Sequence, residues 1–387
     1  MLKKLKFYIN YCLNFRNIKS SLIVFFYTLL KKNTKYPQYL LNFEKKVSGY
    51  FESKYALSFS NGTTACNALL YALGVKKNNK IIISKLTFPS IISTILRIGA
   101  IPIYLDFDKN LQIKFDVNDK LILDADFLLI THVYGIAQDY DKINIIKKIN
   151  PKIILLEDIS HAQGAKSRNK LVGTVGLGSF MSMQGDKAIS AGEGGVVITS
   201  SDEVYNRMIY LSHLNRKSSN NDRINSLSRI GLIGKGRMNP LGAISAISDI
   251  KNLKNRNKIL REKTKILYTE LNYFKEIDTP EINNYNNLGG FHYGIPFFCN
   301  SEITINRLKD NFNIVKYNWP NLDLNDNFRN PDKFLELIYK KDFNLKSIFG
   351  KSNDIRDHLY FFDLNELMSL SKNKITKKII ISKINEN

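Results

Sequence analysis

The sequence predicts an α/β protein built on a mostly parallel sheet, and three observations carry that expectation. Between about residues 36 and 250, short β-forming apolar runs alternate with stretches of helical pattern, the order that builds parallel strands joined by crossover helices. Polar residues suited to ligand contact fall just after several of those runs, where parallel sheets carry their sites. The length of 387 residues allows a large core and a division into two lobes.

The elements follow in order. Residues 1–35 form a basic, apolar extension in which Leu22 to Leu30 is almost continuously apolar. That run is far shorter than the ~20 residues a membrane helix needs, and no small-residue cleavage site follows it. Docking onto the protein's own body or a partner is expected, with weak contact of residues 1–32 to an anionic membrane surface as the competing reading. Ala56–Ser60 reads as a strand and Thr64–Gly74 as a helix rich in Ala and Leu. Lys80–Ser84 is a strand, Ser90–Ile98 a helix started by Pro89, and Ile101–Leu105 a strand. Phe127–Thr131, Ile153–Glu157 and Gly194–Thr199 are further strands, with a Lys- and Ile-rich helix at Asp141–Lys148.

Residues 240–270 look helical and charged, a connection to a second lobe. Asn283 to Asn330 is rich in Asn, Pro and aromatics and reads as irregular or strand-bearing. Lys374 to Asn387 is a basic amphipathic segment expected to close the small lobe as a helix. The domain expectation is therefore an extension over 1–35, a large domain over 36–250 and a small C-terminal domain over 251–387. No repeat of 20 to 50 residues is visible.

Composition narrows the function classes. The net charge of +22 could serve an anionic partner. Lysine, however, comes with abundant Asn and Ile along the whole chain, as AT-rich coding gives, so no nucleic-acid partner is expected. Cys12, Cys66 and Cys299 are too few and too scattered for a disulfide framework or a zinc site. A reducing, cytoplasmic setting follows.

The stretch Leu155 to Thr199 carries the chemistry. Asp158 ends an apolar β-forming run, and Lys187 stands among Ser, Gly and Glu. A lysine amine can hold an aldehyde cofactor covalently, and a carboxylate can keep a pyridine nitrogen protonated, which lets pyridoxal phosphate accept electrons. Read singly, Asp158 is equally a cap or an ion-pair partner, and Lys187 one solvated lysine among many. Glu193-Gly194-Gly195 before Val196 marks a close approach of backbone or ligand. His161 could face the same pocket and bond a phenolate oxygen; Phe88, ahead of Pro89, could stack on a flat ring. Gly62, Thr63 and Thr64 sit between a strand and a helix, where the helix start offers N–H groups to a phosphate. Ser182 could add a hydroxyl. Each has a plain structural alternative: an N-cap, a core ring or a loop serine.

Asn61-Gly62-Thr63, Thr87-Phe88, His132-Val133-Tyr134-Gly135, Glu157-Asp158 through Gly164-Ala165, Ser182 through Lys187 and Gly192-Glu193-Gly194-Gly195 occur in that order. Together they resemble the DegT/StrS family of pyridoxal-phosphate sugar aminotransferases, across residues 43 to about 260. The resemblance implies a fold-type-I architecture: a three-layer α/β/α domain on a seven-stranded sheet, followed by a small α/β domain. It also implies that Lys187 binds the cofactor covalently and shuttles the proton, and that Asp158 pairs with the ring nitrogen. His161 would contact the 3-oxygen side, Phe88 stack on the ring, and Thr63, Thr64 and Ser182 hold the phosphate. A homodimer partner would reach the site through a segment like Gly234 to Pro240, with Lys235 where many members carry Asn. Some relatives replace the lysine with histidine and become dehydratases, so Lys187 favours transamination.

The expected activity is transfer of an amino group, from glutamate by resemblance, to a keto-sugar linked to a nucleotide, for surface polysaccharide or another glycan. A cyclitol or lipid-linked acceptor is one alternative. A basic, non-catalytic regulatory protein that retains the fold is another, supported by the charge and by a thin match beyond about residue 290.

Overall fold

Apolar β-forming runs become strands where their alternation with helices places them. The computed structural model describes residues 38–213, 234–317, 348–349 and 356–384. The N-terminal extension and its membrane reading lie outside the described residues, as does the part of the Asn-rich stretch beyond residue 317. Among the described residues, no helix is long and apolar enough to cross a membrane.

Along the chain the strands are β1 (Tyr55–Phe59), β2 (Lys80–Ser84), β3 (Ile101–Leu105), β4 (Phe127–Thr131) and β5 (Ile154–Asp158). There follow a short hairpin, β6 (Lys166–Ser167) and β7 (Lys170–Leu171), and then β8 (Gly178–Ser182) and β9 (Gly195–Thr199). The remaining strands are β10 (Ile277–Asp278), β11 (Ile295–Cys299), β12 (Ile314–Lys316), β13 (Ile348–Phe349) and β14 (Leu359–Phe362). They fall into two units, each made from two stretches of chain. One takes Met1–Gly74 and Gly173–Arg256, the other Val75–Val172 and Asn257–Asn387.

In the first unit, β9 is central and antiparallel to both neighbours: Phe59 of β1 and Ser182 of β8 both lie opposite Gly195. Every residue of β9 is buried. The helix Gln38–Tyr50 packs on β1 and buries Leu40, Phe43 and Val47, one face at helical spacing. Its buried Glu44 accepts the Ser58 N–H at 2.9 Å and the Ser58 hydroxyl at 2.8 Å. The helix Gly62–Ala72, rich in small and apolar residues, packs on β8, β9 and the helix Asp202–Ser212.

In the second unit, β5, β4, β2, β3 and β13 run parallel in that order. Parallel strands buried on both faces read as apolar runs, and Ile81, Ile82 and Ile83 of β2 are all fully buried. Each such side chain contributes about 1.5–3 kcal/mol. The helix Pro89–Ile98 starts on proline and stops at Gly99, whose φ of 80° suits a residue without Cβ. A second, antiparallel sheet has the order β10-β11-β14-β12. The helix Lys372–Ile384 packs on the helix Glu302–Asn311, joined where Asn311 Nδ2 donates to the Ser382 hydroxyl at 2.9 Å.

Of the elements that the sequence expectation did not name, two bear on how strands and helices are encoded. Gly178–Ser182 is a buried strand, although GSFMS carries only two strongly apolar residues. Glu302–Asn311, inside the stretch read as irregular or strand-bearing, is a helix between the strands β11 and β12, capped by Ser301, whose hydroxyl accepts the Thr304 N–H at 3.2 Å. Local capping outweighed an Asn-rich composition there.

Candidate active site

The residues expected to grip a phosphate and to supply the cofactor-binding amine belong to the first unit. β1 ends at Phe59, and the helix after it begins at Gly62, two residues earlier than the sequence suggests. Asn61 caps that helix by accepting the Thr64 N–H at 2.8 Å. A Cβ on Gly62 would lie 2.7 Å from the Ser182 Cβ and 2.9 Å from its Cα, so the fold brings Gly62 against Ser182. Gly195 closes in from the third strand, where a Cβ would stand 2.3 Å from the Asn61 carbonyl oxygen. The Gly-Gly signal thus marks a backbone-to-backbone contact. Thr63, Thr64 and Ser182 are all half-buried around this helix start.

Lys187 follows Ser182 in a loop shut at its neck. Met183 N–H donates to Gly194 O and Ala191 N–H to Met183 O, both at 2.8 Å, and Lys187 N–H donates to Gln184 O at 3.0 Å. Ser190 N–H is held by Asp249 Oδ2 at 2.9 Å. The Lys187 side chain is only 8% exposed, an uncommon state for lysine. The segment from Gly234 runs beside the same helix start: Ser60 N–H donates to Gly236 O at 2.7 Å, and a Cβ on Gly236 would meet Thr64 Cγ2 at 2.9 Å. Lys235 next to it is exposed.

The second unit holds the residues expected to face a pyridine ring. Asp158 is the last residue of β5, 4% exposed, and accepts the Ser160 N–H at 2.9 Å on Oδ1. On the neighbouring strand, Thr131 lies opposite Asp158, and His132 N–H donates to Asp158 O at 3.0 Å. One strand further, Phe88 follows β2; its ring is 46% exposed. The Thr131 and Thr87 hydroxyls meet at 3.2 Å and tie those two strand ends together. Three adjacent parallel strands therefore carry these residues at their carboxyl ends.

His161 is 5% exposed. Its carbonyl accepts the Gly135 N–H at 2.9 Å, and its ring stands 4.4 Å from His292 and 5.5 Å from Tyr134. Tyr134 and Gly135, with φ of 51° and 88°, form a two-residue turn closed by bonds between Val133 and Ile136. Burial pushes the Tyr134 hydroxyl well above its ordinary pKa of 10.0.

Several residues here escape the sequence reading. Behind Asp158, Glu157 Oε2 lies 3.0 Å from His132 Nε2 and accepts the Tyr140 hydroxyl at 2.7 Å. Gln138 N–H donates to His132 Nδ1 at 3.0 Å, so the ring proton sits on Nε2 and points at Glu157. His292 and Tyr134 pack on His161, and Lys85, just past β2, is 1% exposed. His132, Tyr134 and Glu157 stood in motifs, but His292 is brought to His161 only by the fold.

The architecture is that of fold-type-I pyridoxal-phosphate enzymes. It superposes on Escherichia coli GDP-4-keto-6-deoxy-D-mannose-3-dehydratase with a TM-score of 0.75, at 18% identity over 94% of this chain and 96% of that one. For a sugar aminotransferase of Micromonospora echinospora the values are 0.74, 17%, 94% and 96%. The family model for the DegT/DnrJ/EryC1/StrS aminotransferases matches residues 29–317, and the chain belongs to that family. A GDP-perosamine synthase of Escherichia coli O157:H7 is 33% identical over 174 residues, 44% of this chain and 48% of that protein. The chain thus spans about half the length of the curated relatives it matches.

Proposed function

We propose that the chain is a pyridoxal-phosphate-dependent aminotransferase that moves an amino group from glutamate to a nucleotide-linked keto-sugar, for surface polysaccharide or another glycan. One observation carries the reading. A buried lysine stands in a loop pinned at its neck, in the same unit as a cradle where Gly62 leaves room for nothing but backbone beside Ser182. That cradle suits a phosphate, because a helix start and hydroxyls meet there. The buried carboxylate of Asp158 suits a protonated ring nitrogen.

When bound, the cofactor supplies an electron sink for the bond broken at the substrate α-carbon. The chain's residues do the rest. Lys187 holds the cofactor through its amine and then takes and returns the proton at that carbon. Ser160 N–H fixes the Asp158 carboxylate, which would keep the ring nitrogen protonated. Thr63, Thr64 and Ser182 donate hydroxyls to the phosphate, and Gly62 admits it. His161 contacts the 3-oxygen side, and Phe88 covers a ring face. Lys235, acting from a second copy in a homodimer, adds a point charge near the phosphate. A cytoplasmic location, a large domain over 36–250 and a small one over 251–387 complete the proposal. The names of GDP-perosamine synthase among the relatives and of GDP-4-keto-6-deoxy-D-mannose-3-dehydratase among the superposed structures make a GDP-linked keto-sugar the first acceptor to offer.

Borohydride reduction of the purified protein followed by peptide mass mapping tests the cofactor half. The expected result is a pyridoxyl group on Lys187; its absence, or its presence on another lysine, overturns the site. Formation of 2-oxoglutarate from glutamate, with an amino sugar nucleotide as co-product, tests the rest. A labelled Lys187 with no amino transfer to any nucleotide-linked keto-sugar would keep the cofactor and reject the acceptor.

A further inference from the structure

On the second unit, a cleft of about 420 Å³ opens between the β6–β7 hairpin and the segment from Glu281 to Leu288. The volume lies in the range of roughly 300–1,000 Å³ common for small-ligand sites. None of the residues proposed to hold the cofactor lines it.

Its floor is built before any ligand arrives. Asp108 Oδ1 accepts the N–H groups of Asn110 and Gln112, each at 2.9 Å. The Gln112 amide donates to Ala137 O at 3.0 Å and accepts the Asp139 N–H at 2.6 Å. Asn110 Oδ1 takes the Glu281 N–H at 2.9 Å, stitching the far wall to the floor. The near wall is a hairpin whose turn residues, Arg168 and Asn169, have φ of 49° and 65°. Asparagine tolerates that region, but arginine there costs about 1–2 kcal/mol. Ion pairs to Asp141 at 2.5 Å and Asp139 at 3.6 Å hold Arg168 in place.

The charge count selects the ligand. Asp108, Asp139 and Glu281 balance Lys142, Lys166 and Arg168, so the cleft is neutral on a chain of net charge +22. A phosphate or other anion gains no local field there. The side chains of Lys166, Asn169, Glu281 and Asn283 line the cleft with no hydrogen bond or ion pair to another described residue. They present donors and acceptors together, the pattern that hydroxyl pairs need. Ile136, Ile282 and Leu288 add an apolar backing. A pyranose ring has both faces of this chemistry: hydroxyls at its rim and C–H groups across its plane.

We propose that this cleft binds a neutral saccharide of one or two rings, outside the residues proposed for catalysis. Saturation-transfer NMR on the full-length protein, with methyl α-D-glucopyranoside, methyl α-D-mannopyranoside and maltose as probes, tests it. At least one probe is expected to bind with a millimolar Kd, unchanged by added sodium chloride. Lys166→Met and Asn283→Ala each remove a ligand-facing group, and Asn169→Gly does so in a residue at ease with positive φ. Each is expected to weaken binding about five-fold, the loss of one hydrogen bond, with aminotransferase activity unchanged. No transfer from all three probes, equal transfer in all three variants, or binding abolished by salt overturns the proposal.

Discussion

At Glu157 a single carboxylate oxygen serves two partners, His132 Nε2 and the Tyr140 hydroxyl, with all three residues buried. Glu157→Gln can turn an amide N–H toward a donor, leaving one buried group unsatisfied. The expected loss is about 2–3 kcal/mol, read as a lower urea midpoint, with turnover reduced because the Asp158 strand end loosens. Lys187→Ala is expected to lower turnover by at least about 10²–10⁴-fold, the worth of a placed proton carrier alone, while the unfolding free energy from urea titration stays within about 1 kcal/mol of wild type. Tyr134 and Tyr268 sit in apolar surroundings that push both hydroxyls well above 10.0. Above that pH the unfolded chain loses protons that the folded chain keeps, so stability falls as pH rises past about 10. Below it these two tyrosines add no slope. Tyr134 makes no hydrogen bond among the described residues, so Tyr134→Phe is expected to flatten part of that decline at little cost. Urea titrations between pH 8 and 11 check this.

Among elements, the tightest constraint is the meeting of the loop after β1 with β8 and β9. Gly195→Ala drives a methyl into the Asn61 carbonyl, and Gly62→Ala drives one into the Ser182 backbone. Neither obstacle is a flexible side-chain end, so each is expected to cost about 1–3 kcal/mol and to reduce cofactor retention, measured by absorbance after gel filtration. The glycine pair was legible because Gly before a β-branched run signals close approach. The apolar runs of β2, β3 and β4 were equally plain. β8 was not, since its burial comes from strand neighbours and not from its own composition. The helix Glu302–Asn311 hid in Asn-rich text; its signal was one serine cap and a sparse apolar face. His292 was legible only as the residue before a strand; its contact with His161, whose ring it meets at 4.4 Å from far along the chain, was not.

At the scale of the whole molecule, the family was legible because its motifs fall at the ends of β1, β2, β4, β5 and β8 and at the start of β9, while the region beyond residue 290 offered little. Each unit draws on two distant stretches. A chain cut after Val172 lacks β8 and β9 and leaves β1 without its ladder partner. Such a fragment is expected to lose cooperative unfolding in the far-ultraviolet circular dichroism signal, and retention of a single sharp transition would contradict that dependence. The same pairing sets a schedule for biosynthesis. Tyr55 leaves the ribosome long before Thr199, its opposite number; at about 5–20 residues per second the wait is on the order of ten seconds. Through that interval β1 has only the flanking helices Gln38–Tyr50 and Gly62–Ala72 to lie against, and the backbone edge that β9 later pairs with stays open.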